Sequence, residues 1–494
     1  MRPISSLPIL ALILSLLACG GPSKTERRPL ERLPSLLAVS PQGENAPQLN
    51  AGRPWWQEWE AVSLNTLMEQ LFRSSLSLAQ ARARFLQLRS LSIQAGSERW
   101  PSLNLSASVS ERKQLNNCGR AFSTGAPGAP APPSSFTLQT YGVSLGASYE
   151  VDVWGRIGAQ VRAAERDEEA AAAELRALAV TLSASLAELW LQLIEQEQSE
   201  KLLREQAERE RALLSLTELR FEQGLRPVVD SLQQAQRLAQ VESQLPLFQA
   251  RIAQLRRQIN ALLGRYQGGV DVPELLPELP DLPKIPLPAE LLSARPDLQA
   301  ARLRVIASDE RVAAAFAARL PAFRLSADVG LQAFELDEIL EDIIWGWAVN
   351  LAAPLFQAGR LEAAQQVRAQ QLREQLSAWG ELTIKALHEV EDAVSQEQAL
   401  STQVDELRRQ EEGAEALYEA ATRRYQEGVG DLLTVLNANQ GLSQAQQGLL
   451  AARRGRLSAH IQLHRALGGG WSERVLEQQL EQEIERTRQE EESE

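Results

Sequence analysis

Histidines come first, because imidazole binds metals and moves protons near neutral pH. His460 and His464 lie four apart in a helical stretch, a spacing at which two rings share one face and can grip a metal ion. No third ligand is evident within reach, so the two read as a surface pair, and His388 stands alone. Glu150 and Asp152 are two apart in a strand-like stretch, which places both carboxylates on one face. No nucleophile–base pattern surrounds them, so they read as lumen-facing or structural groups. Gly468-Gly469-Gly470 lacks the following Lys-Ser/Thr of a phosphate-binding loop and reads as a helix stop. No catalytic, cofactor-binding or metal site is therefore expected.

The 2 cysteines differ in kind. Residues 1–18 form a leader: Arg2 supplies a positive start, and Ile9 to Leu17 is an apolar run too short to span a bilayer. The run ends in Leu16-Leu17-Ala18-Cys19-Gly20, which resembles a bacterial lipobox, so a covalent lipid on Cys19 is expected. Gly20 rather than Asp after that cysteine is compatible with sorting to the outer membrane. Cys118 sits in a Gly/Pro-rich loop and reads as an unpaired loop thiol.

The chain has 494 residues, with 51 Lys plus Arg against 64 Asp plus Glu and a formal charge of -13. That balance argues against a nucleic-acid partner, which requires a basic face. Ala, Leu, Gln, Glu and Arg dominate, the palette of long helices.

Two copies of one unit account for most of the length. Gly155-Arg156 recurs as Gly359-Arg360, 204 positions on (359 − 155). Arg220-Phe221-Glu222-Gln223-Gly224 recurs as Arg424-Tyr425-Gln426-Glu427-Gly428 at the same offset. Upstream, Arg99-Trp100-Pro101 pairs with Arg319-Leu320-Pro321 at an offset of 220 (321 − 101), so the first copy carries an insertion, the Gly/Pro/Ala/Ser-rich segment from Cys118 to Ser135. The organisation reads as a leader (1–18), an anchor linker (19–54), a first repeat (55–267), a Pro-rich linker (268–296), a second repeat (297–470) and an acidic tail (471–494).

Within each copy the hydrophobic period changes. Leu103, Leu105, Ala107 and Val109 alternate with Asn104, Ser106, Ser108 and Ser110, and Tyr141 to Val153 alternates likewise. The second copy repeats this with Phe323 to Leu331 and with Trp345, Trp347, Val349 and Leu351. This is strand periodicity, and about 9–11 such residues suit a transmembrane β-strand. Trp100, Trp154, Trp345 and Trp347 stand at or near strand ends, where aromatic girdles form. Beyond each strand pair lies a Pro-free stretch, Ile157 to Phe221 and Leu361 to Tyr425, whose leucines recur at spacings of three and four. Each predicts a helix roughly 100 Å long, turning at Gly224 or Gly428 and returning to Leu263 or Leu467. Helices of that length require coiled-coil partners along their whole extent.

Four strands cannot close a barrel, and open sheet edges are not tolerated in lipid. Three chains would supply twelve strands, with the helices extending the barrel as a tube. In this pattern the sequence resembles the TolC-like outer-membrane factor family, in its lipoprotein branch serving resistance-nodulation-division efflux pumps. The resemblance is carried by Tyr149-Glu150-Val151-Asp152-Val153-Trp154-Gly155-Arg156, Ala294-Arg295-Pro296-Asp297-Leu298, Ala353-Pro354-Leu355-Phe356-Gln357-Ala358-Gly359-Arg360 and Arg424-Tyr425-Gln426-Glu427-Gly428-Val429. It runs from about Trp55 to Trp471. It implies a homotrimer, with a 12-stranded β-barrel in outer-membrane lipid continued by a periplasmic α-barrel. A periplasmic adaptor would dock at the tips, around Arg220, Gly224, Arg424, Tyr425 and Gly428, with an inner-membrane pump supplying energy. The resemblance also implies a gate on the helix after the second tip, with Leu433 as its apolar ring. Asn437 stands where the family commonly has Asp, and Gly430-Asp431 departs from the commoner Asp-Asn, so a gate held by packing and neutral hydrogen bonds is expected. The competing reading is a lipid-anchored coiled-coil scaffold without a pore, which leaves the strand pairs unexplained. Only 2 Met and 3 His favour organic cargo over metal ions.

Overall fold

The computed structural model describes residues 54–115, 135–279, 294–335, 339–340 and 343–468. Cys19 and the leader, the anchor linker before residue 54, Cys118 with most of its loop, part of the Pro-rich linker and the tail lie outside the described residues.

A 3-10 turn, Trp55–Trp59, opens the described chain, followed by helices α1 (Val62–Ser74) and α2 (Leu76–Ser97). Then come strands β1 (Ser102–Leu115) and β2 (Ser135–Val151), the long helix α3 (Arg156–Glu222), and the returning helices α4 (Val228–Glu242) and α5 (Leu245–Leu262). The second copy is α6 (Pro296–Ala317), β3 (Ala322–Ala333), β4 (Ile343–Ala352), α7 (Arg360–Gln426) and α8 (Leu432–Ala466).

The two offsets read from the sequence reappear as element boundaries. Helices α2 and α6 are both 22 residues long and start 220 apart; α3 and α7 are both 67 residues long and start 204 apart. The copies differ on the return path. Pro246 has no N–H to donate and crowds the preceding turn, so the first return breaks at Ser243-Gln244 into α4 and α5. Position 450, the equivalent of 246, is Leu, and α8 runs unbroken for 35 residues. The 3-10 turn, α1, α2 and α6 lie outside the elements predicted from the sequence: α2 and α6 carry little apolar periodicity, whereas α1 does present a stripe, Leu64, Leu67, Met68, Leu71 and Phe72, all buried.

The strands form one antiparallel sheet in the order β1-β2-β3-β4. The helices follow the same order: α2 packs on α3, α3 on α6, and α6 on α7. Polar pairs line the α3–α6 seam, with Arg162 bonded to Glu310 at 2.9 Å and further ion pairs between Arg311 and Asp167 and between Arg304 and Glu174. The protomer is thus an open arc of strands continuous with an open arc of helices.

The main core surrounds the middle of α3. Leu186, Ala187, Trp190, Leu191, Leu193 and Ile194 are all buried on one broad face, and Glu188, Leu189 and Gln192 opposite them are half-buried. Helices α1 and α5, the 3-10 turn and Leu457 and Ile461 of α8 supply the cover. Among the described helices α3 alone is long and apolar enough to cross a bilayer, and most of that stretch is buried against protein. Its apolarity therefore serves the core. Arg295 of the Ala-Arg-Pro-Asp motif bonds Asp297 (2.8 Å), Glu389 (2.8 Å) and the carbonyl of Ala466 (3.1 Å), tying the start of α6 to both α7 and α8. Burial alone would lower the pKa of this guanidinium; the hydrogen bonds and charges of Asp297 and Glu389 outweigh it and raise the pKa.

Candidate functional site

The sheet has two unlike faces, and its register assigns each residue to one of them. Leu103 pairs with Ala147, Ala147 with Ala327, and Ala327 with Trp347, so these four share a face; Leu105, Leu145, Val329 and Trp345 form the next row on it. Leu103, Leu105, Val109, Trp345, Trp347 and Val349 are all exposed there, an apolar surface suited to lipid. The other face carries Asn104, Ser106, Ser144, Ser148, Arg324 and Asn350, with Ser106 Oγ and Ser144 Oγ 2.8 Å apart. Trp345 and Trp347 pair in register with the rows of Leu105 and Leu103, but along β4 Trp347 lies mid-strand and Trp345 lies close to Ile343, the end away from the helices. Trp100 and Trp154 stand at the end of the sheet that joins the helices, so the four tryptophans are spread along the sheet.

The carboxylates singled out in the sequence have structural work. Asp152 accepts from the backbone N–H groups of Ile157 (3.0 Å) and Gly158 (2.7 Å), satisfying donors left free at the start of α3. Glu150 accepts from Arg156 (2.6 Å) and faces Arg324 across the β2–β3 pair (3.4 Å). The Trp154 indole donates to the carbonyl of Pro321 at 2.7 Å and joins the two copies where sheet becomes helix.

At the far end of the long helices both tips use the same turn. Gly224 (φ 68°) and Gly428 (φ 79°) occupy the left-handed region, and Leu225 and Val429 donate back to the carbonyls of Arg220 (2.9 Å) and Arg424 (3.1 Å). This is the glycine-terminated helix end that closes on itself. The tips also hold each other. Arg220 lies 4.3 Å above the Tyr425 ring and donates to the carbonyls of Tyr425 (2.8 Å) and Gln426 (3.1 Å). Arg226 donates to the carbonyl of Gly430 at 3.3 Å. Arg220 and Tyr425 therefore act first as a clasp between tips: Tyr425 is 0% exposed, whereas Gly224, Arg424 and Gly428 are exposed. A Cβ on Gly430 would stand 2.7 Å from Tyr425 N and 2.9 Å from Arg424 C, both backbone atoms. Gly430→Ala is expected to destabilise this tip by about 1–3 kcal/mol, read as faster tryptic cleavage near Arg424 and a lower melting temperature.

On α8 just beyond the second tip, Leu432, Val435, Leu436 and Ala438 are buried in a small cluster with Leu213 and Tyr425. Leu433 is 60% exposed and Asn437, one turn on, is also exposed, so both point away from their own chain. Behind them lies a network that the sequence did not reveal. Glu210, 1% exposed, accepts from Gln234 Nε2 (2.6 Å) and Asn439 Nδ2 (2.8 Å), and Asn439 accepts from Arg209 (2.9 Å). Through it α3, α4 and α8 are joined. The equivalents of Glu210, Gln234 and Asn439 at the 204 offset are Ala414, Ala438 and Ala235, so the network exists only once. A break in the internal repeat was the one available signal.

His460 and His464, read from the sequence as a surface pair, are buried at 0% and 6% exposure. The core around α3 covers that face of α8, and Trp55 stacks on His464 with ring centres 5.4 Å apart. Burial, with the positive charge of Arg456, lowers the pKa of His460 to about 4. Burial, with His460, lowers that of His464 to about 3.

The architecture has close solved counterparts. The outer-membrane channel OprN superposes with a TM-score of 0.79 at 28% identity, covering 85% of this chain and 93% of OprN. The outer membrane protein VceC of Vibrio cholerae superposes with a TM-score of 0.76 at 29% identity, over 85% of this chain and 100% of VceC. In sequence, the pyoverdine export outer membrane protein OpmQ of Pseudomonas putida is 29% identical over 472 residues, 94% of this chain and 97% of OpmQ. The toluene efflux pump outer membrane protein TtgF of Pseudomonas putida is 27% identical over 94% of this chain and 96% of TtgF. The family profile described as outer membrane efflux protein matches residues 67–265 and 287–469; with the two-faced sheet, the paired tips and the channel fold in place, the chain belongs to the outer membrane efflux protein family and is an outer-membrane channel with a periplasmic helical part.

Proposed function

We propose that this channel works as a homotrimeric exit duct in a tripartite efflux system, anchored by a lipid on Cys19. The observation that carries the trimer is the pair of open edges. Strands β1 and β4 end the sheet without further strand partners among the described residues, while its exposed apolar face is suited to lipid. Joining β4 of one protomer to β1 of the next three times closes twelve strands. The same operation joins α7 to α2 and closes the helical arc below. A pore-less scaffold gives this sheet no role.

Leu433 and Asn437 then face the narrow end of the tube, where three leucines form an apolar constriction and three asparagines a neutral ring. A periplasmic adaptor engages the exposed tip residues Gly224, Arg424 and Gly428, with Arg220 and Tyr425 fixing the tips beneath, and a resistance-nodulation-division type pump drives transport. The cargo is a small organic molecule, in line with the pyoverdine and toluene of the relatives' names. Because the ring at 437 is neutral, native conductance is expected to be insensitive to divalent cations; Asn437→Asp should make added Mg2+ reduce the current. The test of the whole proposal is planar-bilayer conductance of detergent-extracted protein with its mass measured alongside. Discrete channels from a trimer are expected, and a monomer without currents would overturn it.

A further inference from the structure

Where the 3-10 turn meets the end of α8, Glu58, His460 and His464 each present a ligand atom, and these atoms all lie within 4.8 Å of one another. The Nε2 atoms of the two histidines are 3.1 Å apart. Two nitrogens bound to one zinc at about 2.0–2.1 Å in tetrahedral geometry stand about 3.3 Å apart, so the pair is within a few tenths of an ångström of a chelating arrangement. The surroundings are built rather than incidental. Trp55 stacks on His464, and Trp59 lies 6.4 Å from His460 and 6.2 Å from Trp190, which fixes the ring orientations. His460 Nδ1 is buried and has no hydrogen-bond partner among the described residues. That nitrogen lies on the other side of the ring from Nε2, and the ion would be held by the two Nε2 atoms and the Glu58 carboxylate.

We propose that Glu58, His460 and His464 bind one Zn2+ per chain, with a fourth position open on the exposed Glu58 side for water. Two buried imidazoles and one carboxylate form a borderline N/O donor set, which suits zinc better than the harder Ca2+ or Mg2+. Glu58 belongs to the segment that emerges from the anchor linker, whereas both histidines belong to α8, the last described helix. The ion would clip the 3-10 turn to α8, separate from the cargo path at Leu433. Nothing in this depends on the channel carrying metal or on its pump partner.

The experiment uses full-length, detergent-extracted protein without a histidine tag, stripped with chelator and titrated with ZnCl2 while bound zinc is counted. Wild type is expected to hold about one zinc per chain. Glu58→Ala, at an exposed position that leaves the core intact, should weaken binding by roughly 100-fold, and His464→Gln should do the same. His388→Gln removes the only other histidine and should change nothing. Zinc should raise the melting temperature of wild type and His388→Gln but not of Glu58→Ala. Zinc binding by wild type no stronger than by Glu58→Ala would overturn the site, as would binding lost in His388→Gln.

Discussion

Leu433→Ser is expected to shift the duct strongly towards its conducting state. In the protomer Leu433 is 60% exposed while its neighbours Leu432, Val435 and Leu436 are buried, so most of its apolar surface is left uncovered among the described residues. In a closed trimer three copies would meet on the axis. Burying what each leaves exposed contributes about 1 kcal/mol, roughly 3 kcal/mol for the ring. Serine removes that and wets the constriction. The closed-to-open ratio should fall by about 100-fold, seen as larger and longer openings in planar bilayers. Unchanged conductance would place the constriction elsewhere on the tube.

Glu210→Ala should have the largest effect on stability away from the main core. The carboxylate accepts two side-chain amide hydrogen bonds, from Gln234 and Asn439, in a site closed to water. Removing it strands the Asn439 amide, at a cost of about 1–3 kcal/mol, and takes one of two bonds from Gln234 Nε2, which still donates to the Glu210 carbonyl at 2.8 Å, so a loss of roughly 2–3 kcal/mol per chain is expected. Glu210→Gln keeps the shape and one acceptor and should lose about half as much. Thermal unfolding of the purified protein checks both. The network also joins α3 and α4 of the first copy to α8, the helix that carries Leu433. Glu210→Ala should therefore raise the open fraction in bilayers too; a fall in melting temperature with unchanged gating would confine Glu210 to stability.

The tryptophans of the sheet illustrate what could and could not be read in advance. Period-two alternation identified β1 to β4, because a strand exposes alternate residues to unlike media whatever its neighbours are. The height of each tryptophan in the sheet depends on register between strands far apart in sequence. Only the pairing of Trp347 with Ala327 and of Ala147 with Leu103 showed that Trp347 shares the apolar face with Leu103 and lies mid-strand, while Trp100 and Trp154 stand at the helical end. The histidines show the same limit. A spacing of four puts two rings on one face of α8, but which face is buried depends on where α1 and the 3-10 turn lie, and those elements were not anticipated.

By itself the sequence determined the repeat, with offsets of 204 and 220 that recur as element boundaries, and with it the hairpins, the long helices and the glycine turns. These are local properties: backbone preference, side-chain period and the absence of proline act over a few residues and need no knowledge of the rest of the chain. The tertiary structure alone decided which of these local features are used in common. It made Arg220 and Tyr425 a clasp, enclosed Glu210 with Asn439, buried His460 and His464 beside Glu58, and left Leu433 facing outward. Those outcomes rest on contacts between residues some 200 or more positions apart, or 400 for Glu58 and His460. Such contacts are set by how whole helices pack, and the periodicity of any one helix does not encode its neighbours.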